Sequence, residues 1–324
     1  MFSVTKLLRS GSVFLFAIAA ACAHAQADYP TKPIKVIVPF AAGQSGDVIL
    51  RNLADPLGKE AGVPVVIDNK PGAAGFIAVQ AVVGAAPDGY TVLVGSNTTH
   101  AANAVMFKKL PYDPIGDFAP VTLLNKGALM FVVTASSPIA SAQDLLARAR
   151  QSPGTLTYGA ASSSTRMSAE MFQQMGNAKV RFVPYKGAPQ AVTDLLGGTI
   201  DFVVADLPTV QPLIQQGKLR GIAVTSARRH SVLNTVPTWA ESGLPGFELD
   251  AWSAVFVPAA TPKPVIAKLN AFFRKALGSP SAKNFYQLAG LTPEPTTPEA
   301  LAAFVKSESD KWARLVRAAG IEPE

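Results

Sequence analysis

Residues 34–57 carry a pattern that few architectures accept. Ile34-Lys35-Val36-Ile37-Val38 is a β-branched run with one lysine, which reads as a buried strand. Pro39 stops the ladder because it has no amide to donate. A small-residue loop follows, Ala41-Ala42-Gly43-Gln44-Ser45-Gly46. Asp47 then opens a stretch in which Val48, Leu50, Leu53 and Leu57 mark an apolar-periodic helix. Strand, glycine-bearing loop and helix start, in that order, is how a doubly wound sheet presents free backbone amides at a helix N-terminus. Such a terminus attracts anions through its unsatisfied N–H groups and the helix dipole. An ordinary βα turn, with glycine for tight geometry, fits the same spacing.

The unit repeats. Residues 63–68, 91–94, 156–158, 181–185, 200–205 and 219–225 read as further strands, with helical stretches between most of them. Residues 118–124 and 129–134 read as two extended segments separated by Asn125-Lys126-Gly127, at the first crossing between domains. Regular βα alternation predicts an α/β protein with mostly parallel sheets and helices on both faces. A chain of 324 residues is long for one core and suggests two. A weak internal echo supports that division. Phe131-Val132-Val133 with Pro138 resembles Phe256-Val257-Pro258 with Pro262, each a strand, a proline turn and a helix. The division expected is 26–125 plus 226–324 for lobe 1 and 126–225 for lobe 2.

The first residues read as an export signal, not as fold. Lys6 and Arg9 are basic, 13–21 is apolar but too short for a stable membrane anchor, and Ala23-His24-Ala25 fits the A-x-A cleavage pattern. Residues 1–25 are therefore expected to be a cleaved signal peptide, and the protein periplasmic. The rival is a lipoprotein acylated at Cys22, for which Ala19-Ala20-Ala21 lacks the usual leucine. Cys22 is the only cysteine, so cleavage would remove disulfides, thiol catalysis and cysteine-based metal sites together. The net charge is +7, of which Lys6 and Arg9 contribute +2, leaving +5 on the mature chain. Its basic residues are scattered, with no Lys/Arg block, which argues against nucleic acid as a partner.

Catalysis finds little support. Gly43-Gln44-Ser45-Gly46-Asp47 has aspartate where a G-x-S-x-G nucleophile elbow needs glycine. Outside the leader only His100 and His230 remain, too few for a zinc site without cysteine. Neither a Walker A sequence nor a G-x-G-x-x-G is present, so no nucleotide cofactor is indicated. The expectation is binding without turnover: no catalytic residue, no metal and no cofactor. Three polar strand-to-helix junctions supply the binding candidates. They are Phe40, Ala42, Gly43, Gln44, Ser45 and Asp47 in the first, Asn97, Thr98 and Thr99 in the second, and Ala161, Ser162, Ser163, Thr165 and Arg166 in the third. Arg166 sits in a first helical turn, where the dipole disfavours a cation, and so is read either as a bidentate carboxylate ligand or as a surface residue. Asp206 ends a strand and is read either as an acceptor for a ligand donor or bridging water, or as the N-cap of the helix near Pro208.

The order of short motifs then matters. Tyr29-Pro30-Thr31-Lys32-Pro33-Ile34, Val38-Pro39-Phe40-Ala41-Ala42-Gly43, Asn69-Lys70-Pro71-Gly72, Ala86-Pro87-Asp88-Gly89-Tyr90, Val183-Pro184-Tyr185-Lys186-Gly187, Asp194-Leu195-Leu196-Gly197-Gly198 and Gly217-Lys218-Leu219-Arg220 run through the whole mature chain. In this the chain resembles the Bug-type periplasmic solute receptors of tripartite tricarboxylate transporters, the TctC-like family. The resemblance implies a two-lobed periplasmic-binding-protein fold that closes on a small organic carboxylate in the interlobe cleft. It implies that the 40–47 loop and the loop after Tyr158 clamp the carboxylate, partly through water. It also implies delivery to integral-membrane transporter subunits, with the receptor acting as a monomer. An orphan sensor feeding a membrane signalling kinase would share the pocket, and a secreted hydrolase is the rival of a different class. Two departures fall in the expected site: Gln44 stands where the family has a second glycine, and the second clamp is serine-rich and ends in Arg166.

Overall fold

The computed structural model describes residues 29–323. The expected leader, residues 1–25 with Cys22, lies outside the described residues. The chain begins with β1 (Ile34–Val38), α1 (Ser45–Ala61), β2 (Val65–Asn69), α2 (Phe76–Val83) and β3 (Thr91–Ser96). A π-helical turn over Thr98–Ala102, α3 (Asn103–Met106) and β4 (Phe118–Thr134) follow. Next come α4 (Ala142–Gln151), β5 (Thr157–Ala160), α5 (Ser163–Gly176), β6 (Arg181–Pro184), α6 (Ala188–Leu196), β7 (Phe202–Asp206), α7 (Leu207–Gln215) and β8 (Leu219–Val224). The chain returns through β9 (Asp250–Pro258), α8 (Lys263–Leu277), α9 (Pro280–Leu288), β10 (Thr292–Pro293) and α10 (Pro298–Ala318).

β1 forms because its aliphatic side chains are all withdrawn from water while Lys35 alone points out. It pairs in parallel with β2 and β3, β9 runs against β3, and β4 runs against β9. In the second lobe β5 pairs in parallel with β6 and β7, and β4 runs against β7 and β8. Most strands of each lobe therefore share one direction, and the two-lobed periplasmic-binding-protein fold expected from the sequence is the fold adopted. α1 packs on α8 and buries Ile49, Leu50, Leu53 and Leu57. Each such side chain contributes roughly 1.5–3 kcal/mol. Gly62, at φ 71°, ends the helix in the left-handed conformation that glycine adopts without a Cβ penalty.

One expectation changes. Residues 118–134 are one strand, not two: Lys126 and Gly127 stay in register with Trp252 and Ala251 of β9, across the expected break. Pairing with β9 overrides the turn-like composition of Asn125-Lys126-Gly127. That composition serves another purpose, because Asn125 and Gly127 form part of the cleft floor. The segment between β8 and β9 also packs toward the second lobe. Trp239 is fully buried, 5.0 Å from the rings of both Phe131 and Phe172, and its amide donates to the Val224 carbonyl. Among the described residues no helix is long and apolar enough to cross a membrane, and no cluster of His, Cys, Asp and Glu could hold a metal ion.

Candidate functional site

The three polar junctions converge between the lobes on two chambers that share Phe40, Gln44, Ser96, Thr98 and Ser162. The inner chamber has a volume of about 40 Å3, room for roughly three waters. The polar part of its wall is made by Ser45 and Gly46 at the start of α1, Asn97, Ser164 of α5 and Asp206, and the apolar part by Ala128, Pro208, Trp252 and Leu291. The outer chamber, about 230 Å3, is faced by Pro39, Ala74, Pro184 and Tyr185, with exposed Lys186 beside them.

The first jaw is braced from behind. Asp47 is 1% exposed, and its carboxylate accepts from the Gly43 amide at 2.9 Å, from Arg51 Nε at 2.9 Å and from Asn69 Nδ2 at 2.9 Å. Asn69 Nδ2 also donates to the Phe40 carbonyl at 3.1 Å, which ties the loop to the end of β2. Burial raises the Asp47 carboxyl, but the bonds from Arg51, Gly43 and Asn69 outweigh it and hold the group below its usual range. Gly43 sits at φ +79°, which lets the loop turn into the helix. A Cβ on Gly46 would stand 2.2 Å from the Phe40 ring, so only glycine lets that ring cover the first turn of α1.

Amides are left open by this arrangement. The N-cap residue Gln44 makes no side-chain bond to the helix, and the first intrahelical bond is Val48 N–H to the Gln44 carbonyl. The N–H groups of Ser45, Gly46 and Asp47 precede that bond and are the unsatisfied donors of a helix start. Beside them, at the end of β3, Ser96 Oγ and Asn97 Nδ2 are buried with no hydrogen-bond partner among the described residues. Leaving such groups unpaired costs roughly 1–3 kcal/mol each.

The second jaw is partly capped. Ser162 Oγ accepts from the Thr165 amide at 3.3 Å, and Thr165 Oγ1 accepts from the amides of Ser162 and Ala161 at 3.0 and 3.2 Å. This is a capping box. The jaws touch across the cleft. The Gln44 side chain faces Asp206 across the inner chamber, and Ser163 Oγ donates to Asn103 Oδ1 at 3.3 Å. A Cβ on Gly187 would stand 2.8 Å from that of Ala41. Desolvation pushes the Asp206 carboxyl up to about 6, and the Gln44 side chain only partly opposes it.

Of the residues singled out from the sequence, Phe40, Gln44, Ser45, Asn97, Thr98, Thr99, Ala161, Ser162 and Asp206 line the chambers. Ala42 and Gly43 are exposed on the outside of the loop, and Asp47, Ser163 and Thr165 hold the jaws in shape. Arg166 lines neither chamber. Its guanidinium stands over the Phe182 ring at 5.1 Å, with Nε 4.0 Å from Glu170 one turn further along the helix. Asp206 occupies the N-cap position of α7, but its side chain makes no capping bond. Sequence reasoning missed Ser96, Trp252, Ser253 and Lys186. Ser96 adjoins a junction already noted, whereas Trp252 and Ser253 reach the wall only through the placement of β9 next to β4. His100 is fully buried, stacked on Phe256 at 3.8 Å and bonded through Nδ1 to Thr99 Oγ1 at 2.9 Å. Burial pushes it down to about 3. It is a neutral core residue engaged with Thr99, and no hydrogen bond joins it to Ser45 among the described residues.

Two α/β lobes closing on a polar cleft at the carboxyl ends of their strands define a solute-binding protein of the periplasmic type. Residues 49–321 match the family described as "Tripartite tricarboxylate transporter family receptor", TctC, and the chain belongs to that family. Protein BugT of Bordetella pertussis is 35% identical over 322 residues, 98% of each chain. The solved structure titled "R. palustris Rpa4515 with adipate" is 35% identical with a TM-score of 0.88, covering 92% of this chain and 100% of that one. MatC (Rpa3494) from Rhodopseudomonas palustris, with bound malate, is 30% identical with a TM-score of 0.84, covering 89% and 100%.

Proposed function

We propose that this protein is a periplasmic receptor that captures a small organic carboxylate between its lobes and hands it to the integral-membrane subunits of a tripartite transporter. It acts as a monomer, exported by the leader, and performs no chemistry on its ligand. The observation that carries the reading is the pair of buried, unpartnered donors, Ser96 Oγ and Asn97 Nδ2, beside the open first turn of α1. A carboxylate supplies what they lack. Each hydrogen bond to a charged group is worth roughly 1.5–3 kcal/mol. The helix terminus adds about 0.3–1 kcal/mol, more where partly buried. Adipate and malate in the solved relatives support the ligand class.

The polar contacts between the lobes include Ser163 to Asn103, Gln174 Nε2 to the Ala318 carbonyl, and Gln211 Nε2 to the Leu288 carbonyl at 2.7 Å. A ligand touching both jaws only when they are shut would favour the closed form by its difference in affinity between the two states. We take β4, which belongs to both sheets, as one strand of the hinge.

A thermal-shift panel of carboxylic acids identifies the ligand, because binding stabilises the native state by mass action. With the best acid, Asn97→Ala is expected to weaken binding at least tenfold by calorimetry, roughly 1.4 kcal/mol or more. The unliganded Tm should move little, since Asn97 Nδ2 supports nothing in the free protein. Wild-type affinity in Asn97→Ala would overturn this site.

A further inference from the structure

Asp206 is the single ionisable residue on the wall of the inner chamber. Gln44 faces it across the cleft, and among the described residues no ion pair involves it. The elements around it contribute neutral side chains: Gln44 and Ser45 from the first jaw, Ser96 and Asn97 from β3, Asn125 from β4, and Ser253 from β9. Charged residues next to that wall are engaged elsewhere. Lys126 pairs with Glu294 at 2.8 Å and lies over the Phe304 ring. Asp250 feels Lys311 and Lys126, and Glu308 accepts from Trp252 Nε1 at 2.9 Å. Arg166 and Glu170 face each other along α5, and Lys186 belongs to the outer chamber.

The inner chamber is therefore two-sided. One side offers donors: the α1 amides, Ser96 Oγ and Asn97 Nδ2. The other offers one carboxylate without a counter-charge. A half-buried carboxylate of that kind, desolvated on the chamber wall, favours a cation. A ligand with a second carboxylate would instead place like charge beside it. Asn97 and Asp206 line the same chamber of about 40 Å3, which suits a ligand whose anion and cation are on neighbouring atoms.

We propose that the ligand is an amino acid, held by its carboxylate on Asn97, Ser96 and the α1 amides and by its ammonium on Asp206. Its side chain runs into the outer chamber, whose facing includes Pro39, Phe40, Pro184 and Tyr185. This rests on the carboxylate reading above and narrows it. The position of the Asp206 carboxyl near pH 6 provides a signature. An ammonium beside it favours the ionised form, so binding releases protons. An added carboxylate favours the protonated form, so binding takes protons up.

The test uses pairs that differ by the ammonium alone: L-leucine and 4-methylpentanoate, L-phenylalanine and 3-phenylpropionate, L-glutamate and glutarate, L-aspartate and succinate. Each is measured by calorimetry at pH 6 in two buffers of different ionisation enthalpy. The amino acid of at least one pair should bind tenfold or more tightly than its partner, with proton release. Asp206→Asn should erase that preference, weakening the amino acid at least tenfold and leaving the partner unchanged or tighter. The proton count on the wild-type protein tests the same point without a variant. Equal or tighter binding of the deaminated acids, with proton uptake, overturns the proposal and leaves the carboxylate reading standing. Failure of every pair while another acid of the thermal-shift panel binds does the same. Failure of every acid overturns both.

Discussion

At the start of α1 the N-cap position is held by Gln44, whose side chain turns away from the helix to face Asp206. At the start of α5 Ser162 and Thr165 cap each other. The first jaw keeps its amides open and draws its rigidity from Asp47, a buried carboxylate outside the cleft. The second spends the Ser162 and Thr165 hydroxyls on the amides of Ala161, Ser162 and Thr165, leaves those of Ser163 and Ser164 ahead of the first intrahelical bond, and presents Ser162 and Ser164 to the cleft. A helix terminus can attract an anion only with donors it has not already used. With Ser96 Oγ and Asn97 Nδ2 beside it, the first jaw carries the larger set of open donors, which assigns anion binding chiefly to the first lobe.

The contrast breaks most visibly at Asp47. Asp47→Ala removes the acceptor shared by Gly43, Arg51 and Asn69, and should cost roughly 2–3 kcal/mol. That corresponds to a fall in Tm of about 5–10 °C, with ligand binding lost as the loop loosens. A Tm within 1 °C of wild type would show that the loop is braced by something else. The pH dependence follows the same group. Its folded value lies below the unfolded one of roughly 3.9. Its contribution is therefore full above about pH 4 and fades as pH falls through the lower folded value, and Asp47→Ala should flatten acid unfolding in that window.

The second jaw should respond less. Thr165→Ala opens the capping box at a cost of about 1 kcal/mol, with carboxylate affinity changed less than threefold. Chemical denaturation and calorimetry on one preparation check both halves. A loss of affinity as large as that expected for Asn97→Ala would erase the distinction between the jaws.

How much of this the sequence shows depends on how local each feature is. The β1–α1 junction is legible because its β-branched run, proline stop and helical spacing are all local. The three polar junctions are legible for the same reason, although they supply fewer than half of the residues lining the chambers. β4 is not, since Asn125-Lys126-Gly127 has a turn's composition and is kept extended by β9, more than a hundred residues away. Trp252 and Ser253 enter the wall through that same long-range pairing. For Arg166 the place in the first turn of α5 is legible, whereas its stacking on Phe182 and its approach to Glu170 are not. The open amides of α1 could be suspected from Gln44, a weak cap, but that they stay open is a property of its side chain facing Asp206 across the cleft.

The most direct measurement is backbone amide NMR during titration with the acid that the thermal-shift panel selects. The Ser45 and Gly46 amides and the Asn97 side-chain amide are expected to show the largest shifts. The capped amides of Ser162 and Thr165 should move little. Large shifts at Ser162 and Thr165 with Ser45 and Gly46 unmoved would contradict the assignment of the anion to the first jaw.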